Sequence, residues 1–222
     1  MQERSSSPRS GYRHFYLLVV LFSVIAVPPF FSDWVLGDAL IESLLFLALL
    51  AGSYATASNR ARFLLCLALA ALAIGGRVAW GFHASPGLLY GFLCCYVAFF
   101  CVVGITLFGR LFVADKRVTS DTLCGAVSVY LILGIIWTYA YAILEAAAPG
   151  SFTFSEQGAL TEARFERFLG FSFTTLTTLG YGNVSPATPR ADAMSTLEAI
   201  IGQCYLAIVI ARLVALQIAP PE

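Results

Sequence analysis

Thr177-Thr178-Leu179-Gly180-Tyr181-Gly182-Asn183 is a polar, glycine-punctuated run inside a chain that is otherwise mostly apolar. Glycine adopts backbone angles that Cβ-bearing residues avoid, so glycines at alternate positions let successive carbonyl oxygens turn toward one axis. A threonine at the start adds a hydroxyl to the same column. Just before the run, residues 168 to 177 are apolar for only about ten positions, which as a helix cover about 15 Å, half of a bilayer core. Just after it, Ser185-Pro186 and Thr188-Pro189 lead into a full-length apolar stretch at 191 to 217. A half-length helix followed by a glycine-rich segment is the pattern of a re-entrant loop, tolerated at membrane depth only where protein or a water-filled cavity surrounds it.

The composition agrees with a membrane setting. Of the 222 residues, 59% are hydrophobic and 12% charged, about half the charged share of an ordinary globular domain. Lys+Arg 13 balance Asp+Glu 13, which argues against a nucleic-acid partner, since phosphates call for a basic surface. Cys66, Cys94, Cys95, Cys101, Cys124 and Cys204 lie in apolar runs without a C-x-x-C pair, so they are expected as small buried hydrophobes and not as disulfides or metal ligands. His14 and His83 sit near segment ends without converging partners for a metal. No nucleophile and base pair stands out, so the chain is not expected to be an enzyme or to carry a cofactor.

Taken in order, residues 1 to 13 are a Ser-, Arg- and Pro-rich tail, expected to be disordered. Apolar spans follow at 14 to 32, 39 to 57, 63 to 82 and 88 to 113, together a four-helix peripheral unit over 14–113. The first is too long for a signal-peptide core and lacks a cleavage site, so it is expected to remain as a span. A charged connector occupies 114–120, and the fifth span begins at 121, capped by Ser120 or Asp121. That span runs to 146, and with the half-span, the glycine-rich run and the last span it makes a second unit over 121–217, followed by a short tail at 218–222. Arg4, Arg9, Arg13, Arg60, Arg62, Arg110, Lys116, Arg117 and Arg212 then fall on one side, against Arg77, Arg164, Arg167 and Arg190 on the other. By the positive-inside rule both termini are cytoplasmic and the glycine-rich loop opens outward.

From 168 to 215 the chain resembles the potassium-channel pore family, with Thr175-Leu176-Thr177-Thr178-Leu179-Gly180-Tyr181-Gly182 matching its signature position by position. Leu179 stands where valine or isoleucine is commoner. The resemblance implies an all-α membrane protein of six transmembrane helices plus a re-entrant pore helix and selectivity-filter loop, a bacterial-type six-span channel with one pore loop. It also implies that Thr178, Leu179, Gly180, Tyr181 and Gly182 form the potassium filter, whose carbonyls replace the ion's hydration shell. The Tyr181 side chain would then point away from the axis and brace the filter. One filter segment per chain calls for four copies, hence a homotetramer in the lipid bilayer, in a cell inner membrane.

The chain departs from the family behind the filter. Asn183 replaces the usual Asp, Gly170 and Phe171 stand where the pore helix often has tryptophans, and Thr174 occupies the place of a buried acid found in some members. Asn183 still hydrogen-bonds but forms no charged pair, so the outer filter is expected to be less firmly held. Glu198, two turns into an apolar span, costs about 2.5 to 3.5 kcal/mol at the bilayer centre and needs a partner. Thr174 or Asn183 are the expected ones, making Glu198 a filter support. Gly202 sits where the family often has a gating hinge, and close helix packing is the equal alternative. Arg212 is expected to snorkel to the surface, and Arg77 to pair with Asp33, Asp38 or Glu42. The fourth span carries only Arg110, at its end, so it lacks the repeated charges that voltage sensing requires. The five residues after the last span lead us to expect no cytoplasmic ligand-sensing domain, so any gating stimulus comes from the membrane, the filter, the connector or a regulatory partner. A non-conducting channel-like subunit and a potassium-transporter component are the rival functions.

Overall fold

The computed structural model describes residues 13–27, 30, 37–57, 59–111, 119–155 and 164–218. Within these the chain is mostly helical, in the order α1 (Arg13–Ala26), α2 (Gly37–Thr56), α3 (Arg60–Phe82), α4 (Pro86–Gly109), α5 (Ser120–Ala147), β1 (Phe152–Phe154), α6 (Arg164–Leu176), β2 (Val184–Pro186) and α7 (Pro189–Ile218). The helix starts are written in the sequence. Asn59 caps α3 by accepting from the Ala61 and Arg62 amides at 3.0 and 3.3 Å. Ser85 caps α4 with Pro86 in its first turn, where the missing amide hydrogen costs nothing.

α3, α4, α5 and α7 are long and apolar enough to cross a membrane. α1 and α2 carry shorter apolar stretches, His14–Ala26 and Ile41–Thr56, so four of the six expected spans meet that standard. The first helix stops at Ala26, short of the expected 32. α6 is 13 residues long, half a span as expected, but it starts at Arg164 and not at 168. Glu166 in its first turn suits the positive end of the helix dipole.

The fold is mostly helical, with one short antiparallel ribbon in which β1 pairs with β2, Phe152 facing Pro186 and Phe154 facing Val184. The expected cap of the fifth span needs correction. The cap of α5 is Thr119, whose hydroxyl accepts from the Thr122 amide at 3.2 Å while Thr122 Oγ1 accepts from the Thr119 amide. Asp121 is unavailable as a cap because its carboxylate lies 2.9 Å from His14 Nδ1, joining the start of α1 to the start of α5. The tail at 1–12, the last two residues of the expected fourth span (112–113), residues 114–118 of the connector and the last four residues lie outside the described residues.

α5 is the centre of the packing, in contact with α1 and α4 on one flank and with α6 and α7 on the other. Phe99, Phe100, Val103 and Leu107 of α4 bury against Val129, Ile132, Ile135 and Tyr139 of α5 in one continuous core. Small residues allow the close crossings. A Cβ on Gly76 would sit 2.9 Å from Phe92, and one on Gly134 would strike the Phe173 ring. A second core, Tyr141, Phe152, Phe168, Phe171, Val184 and Ala191, gathers around the ribbon. Cys94 and Cys204 are exposed and not buried as expected. α7 presents Leu197, Ile200, Ile201, Ile208, Ile210 and Val214 bare in the single chain.

Candidate functional site

The glycine-rich run leaves the end of α6 and returns to the ribbon at β2. Its backbone turns left-handed at every second residue: Thr178 at φ 60°, Gly180 at 60° and Gly182 at 76°. For the glycines this costs little, but for a β-branched residue it is an outlier, and Thr178 is the one non-glycine residue with positive φ among those described. Strain of that kind persists only where the surroundings fix it, and here they do. The Leu179 and Gly180 amides both donate to the Thr174 carbonyl at 2.7 and 3.1 Å, and the Thr178 amide donates to Thr175 O at 2.9 Å. Thr177 Oγ1 donates to Phe173 O at 2.6 Å. The unpaired carbonyls at the C-terminal end of α6 are thus consumed by the run that follows, and the negative end of the helix dipole faces it.

The far end of the run is held by the ribbon. Asn183 O accepts from the Ser155 amide at 3.0 Å and from Ser155 Oγ at 3.1 Å, while Asn183 Oδ1 accepts from the Val184 amide at 3.1 Å. The Asn183 side chain therefore folds onto its own backbone, and the anchoring passes through its carbonyl. Thr174 likewise supports the run by its carbonyl, its hydroxyl donating to Phe171 O at 3.0 Å. Phe171 fills the space behind, its ring 5.1 Å from Tyr141 and 5.6 Å from Phe152. Leu179 and Tyr181 are 56% and 74% exposed in the single chain.

Glu198 is fully buried, but its partners are not Thr174 or Asn183. Ser172 Oγ donates to Oε1 at 2.5 Å and the Tyr141 hydroxyl donates to Oε2. The physical reason is reach: α7 packs its first turns against the middle of α6 and the outer half of α5, so a carboxylate at 198 meets 172 and 141. Ser172 Oγ also lies 2.8 Å from Gly134 O, completing a link between α5, α6 and α7. Gly202 lies where α7 crosses the end of α6. A Cβ there would stand 2.7 Å from Leu176 O and 2.9 Å from Leu176 Cδ1, so close approach demands the glycine. Tyr130 OH donates to the same Leu176 oxygen at 3.1 Å. α7 continues through Gly202 without a break.

Arg77 pairs with Glu42 at 2.7 Å, one of the three expected partners, and lies over the Trp80 ring. Asp33 and the Asp38 side chain lie outside what is described. Sequence reasoning missed Tyr141, Ser172, Tyr130 and Glu145. Glu145 accepts from the Gly150 and Phe152 amides at 2.9 and 3.1 Å and so fixes the turn that leads from α5 into β1. A signal was present: Tyr130, Gly134, Thr138, Tyr141 and Glu145 recur at helical spacing and mark one face of α5.

Residues 125–217 match the family described as "Ion channel". The inward rectifier potassium channel Kirbac3.1 of Paramagnetospirillum magnetotacticum is 36% identical over 83 residues, which cover 36% of this chain and 24% of that protein. Residues 125–217 thus resemble the potassium-channel pore family. No solved structure matches the chain. The family match takes in most of α5, all of α6, the glycine-rich run and nearly all of α7, and its family is one of ion channels and not of enzymes.

Proposed function

We propose that this protein conducts potassium passively as a homotetramer, with Thr178, Leu179, Gly180, Tyr181 and Gly182 from each copy forming the ion-binding column. The alternating left-handed backbone at Thr178, Gly180 and Gly182 carries the proposal, because that alternation turns successive carbonyls to one side. The bare apolar face of α7 and the uncovered Leu179 and Tyr181 support assembly, since four copies would cover them. Six helices α1 to α5 and α7 span the membrane, with α1 and α2 as the two shortest, and both termini are cytoplasmic. α1 to α4 form the peripheral unit (14–113), joined by the connector (114–120) to the pore unit (121–217).

Voltage does not gate the channel through α4, which has no basic residue, Arg110 lying just past its end. Glu198 supports the filter indirectly, by tying the pore helix to α5 and α7 through Ser172 and Tyr141. Gly202 sets the distance between inner helix and pore helix. The filter is itself the gate, with Asn183 its less firmly braced outer end. Purified protein in liposomes should pass potassium and exclude sodium. Equal flux of both ions would refute selectivity, and flux of neither would leave a non-conducting subunit.

A further inference from the structure

A cavity of about 320 Å³ opens between the peripheral helices and the pore helices, on the side of the bundle that carries the ribbon. Trp80, Phe92, Tyr96, Tyr139, Phe165 and Phe168 supply most of its apolar wall. Three carboxylates, Glu42, Glu145 and Glu166, and one guanidinium, Arg77, complete it. A second cavity of about 580 Å³ shares Glu42, Arg77 and Tyr96 with the first and is otherwise lined by Ser43 and the apolar Phe46, Leu47, Ile74 and Val78. Together they form an amphipathic cleft whose charged waist is the Arg77–Glu42 pair. Both side chains of that pair are partly exposed, 38% and 53%, so a ligand in the cleft can reach them.

One group in the wall lacks a partner. Tyr139 is 3% exposed, and its hydroxyl makes no hydrogen bond among the described residues. Its ring is fixed by stacking on Tyr96 at 4.8 Å and by Phe165 at 5.4 Å, and it lies within electrostatic range of Arg77. A buried hydroxyl without an acceptor is uncommon and calls for one.

We propose that this cleft binds a zwitterionic aminophospholipid from the ribbon-side leaflet. Its phosphodiester or ester oxygens accept from the Tyr139 hydroxyl and Arg77, its ammonium donates to Glu42, and an acyl chain follows the second cavity. The charges select this class. Arg77 is the one cation among the residues that line the first cavity and already faces Glu42, which disfavours an anionic headgroup, and a plain amine has no oxygen to offer Tyr139. The first cavity lies at the lower end of the 300 to about 1,000 Å³ range of ligand pockets, so it suits a headgroup and leaves the chains outside.

Native mass spectrometry of the purified full-length protein tests the idea without any measurement of current, so it stands or falls separately from conduction. Phosphatidylethanolamine and phosphatidylglycerol with matched acyl chains compete at equal concentration. Wild type should retain the former about fivefold over the latter, a difference of about 1 kcal/mol. Glu42→Gln and Tyr139→Phe, which keep side-chain shape, should each bring that preference within about twofold. Equal retention of the two lipids by wild type would mark unselective annular lipid and overturn the proposal, as would an unchanged preference in both variants. Glycerophosphoethanolamine, which has no acyl chains, should not displace the lipid; displacement would mark a site for a soluble ligand and overturn the assignment to a lipid.

Discussion

Gly202→Ala distinguishes a packing role from a hinge role at the crossing of α7 and α6. The added Cβ would lie 2.7 Å from Leu176 O, 2.9 Å from Leu176 Cδ1 and 3.1 Å from Leu176 Cγ. Ordinary contact begins near 3.4 Å, so the two helices must part by about 0.7 Å, or the end of α6 must move by that much. Leu176 immediately precedes the filter run, and its carbonyl also holds Tyr130, so the strain falls on the filter's inner end. Overpacking of this kind costs about 1–3 kcal/mol per chain. We therefore expect Gly202→Ala to lower the melting temperature of the purified protein and to weaken potassium-over-sodium selectivity in liposome flux. Adding Leu176→Ala removes the side-chain clashes but leaves the contact with the carbonyl oxygen, so recovery should be partial. A hinge role predicts something different: altered opening with stability and selectivity intact. If Gly202→Ala melts like wild type and selects potassium as well, the close-approach role is wrong.

Glu198→Ala should leave the Tyr141 hydroxyl buried without its carboxylate acceptor, at about 1–3 kcal/mol, while Ser172 can still donate to Gly134 O, and thermal melting should show a larger loss than Glu198→Gln, which keeps one acceptor oxygen. Filter stability and conductance unchanged in both variants would remove Glu198 from the filter's support. Gly180→Ala places a Cβ at φ 60° and should cost about 1–2 kcal/mol per chain and abolish selectivity, read by sodium flux; a selective variant would mean the left-handed backbone is dispensable. Asn183→Asp should slow the decay of sustained currents in low external potassium if the outer brace is the weak point, and equal decay in both proteins counts against that. Ser155→Ala deletes the 3.1 Å bond to Asn183 O and should speed the same decay, with about 0.5–1.5 kcal/mol of anchoring lost.

The helices and the glycine-rich run between them were legible because their signals are local. A half-length helix, alternate glycines and a following full span lie in one continuous stretch, and each is read from periodicity and from what a residue's backbone allows. The pairs between distant elements were harder. β1 and β2 are three residues each, too short to show alternation, and their pairing joins residues 30 to 34 positions apart. Glu198 plainly needed a partner, but Ser172 and Tyr141 depend on how α7 crosses α6 and α5, which no spacing along the chain encodes. Asp121 was a reasonable cap by type, and only the placement of His14 beside it shows why Thr119 takes that duty. Arg77 was easier, since a charge in an apolar span narrows the search to the few opposite charges at its depth, and Glu42 was among them.

The filter run is clamped at both ends, to Thr174 O where it leaves the pore helix and to Ser155 where it enters the ribbon. A segment pinned in this way cannot slide, lengthen or swing as a flap. What it can do is rotate single peptide planes while the Cα positions on either side stay put, a crankshaft motion. A gate made from such a segment opens and closes by re-aiming one ring of oxygens at a time. It needs no moving helix, and its stroke is the width of a carbonyl group.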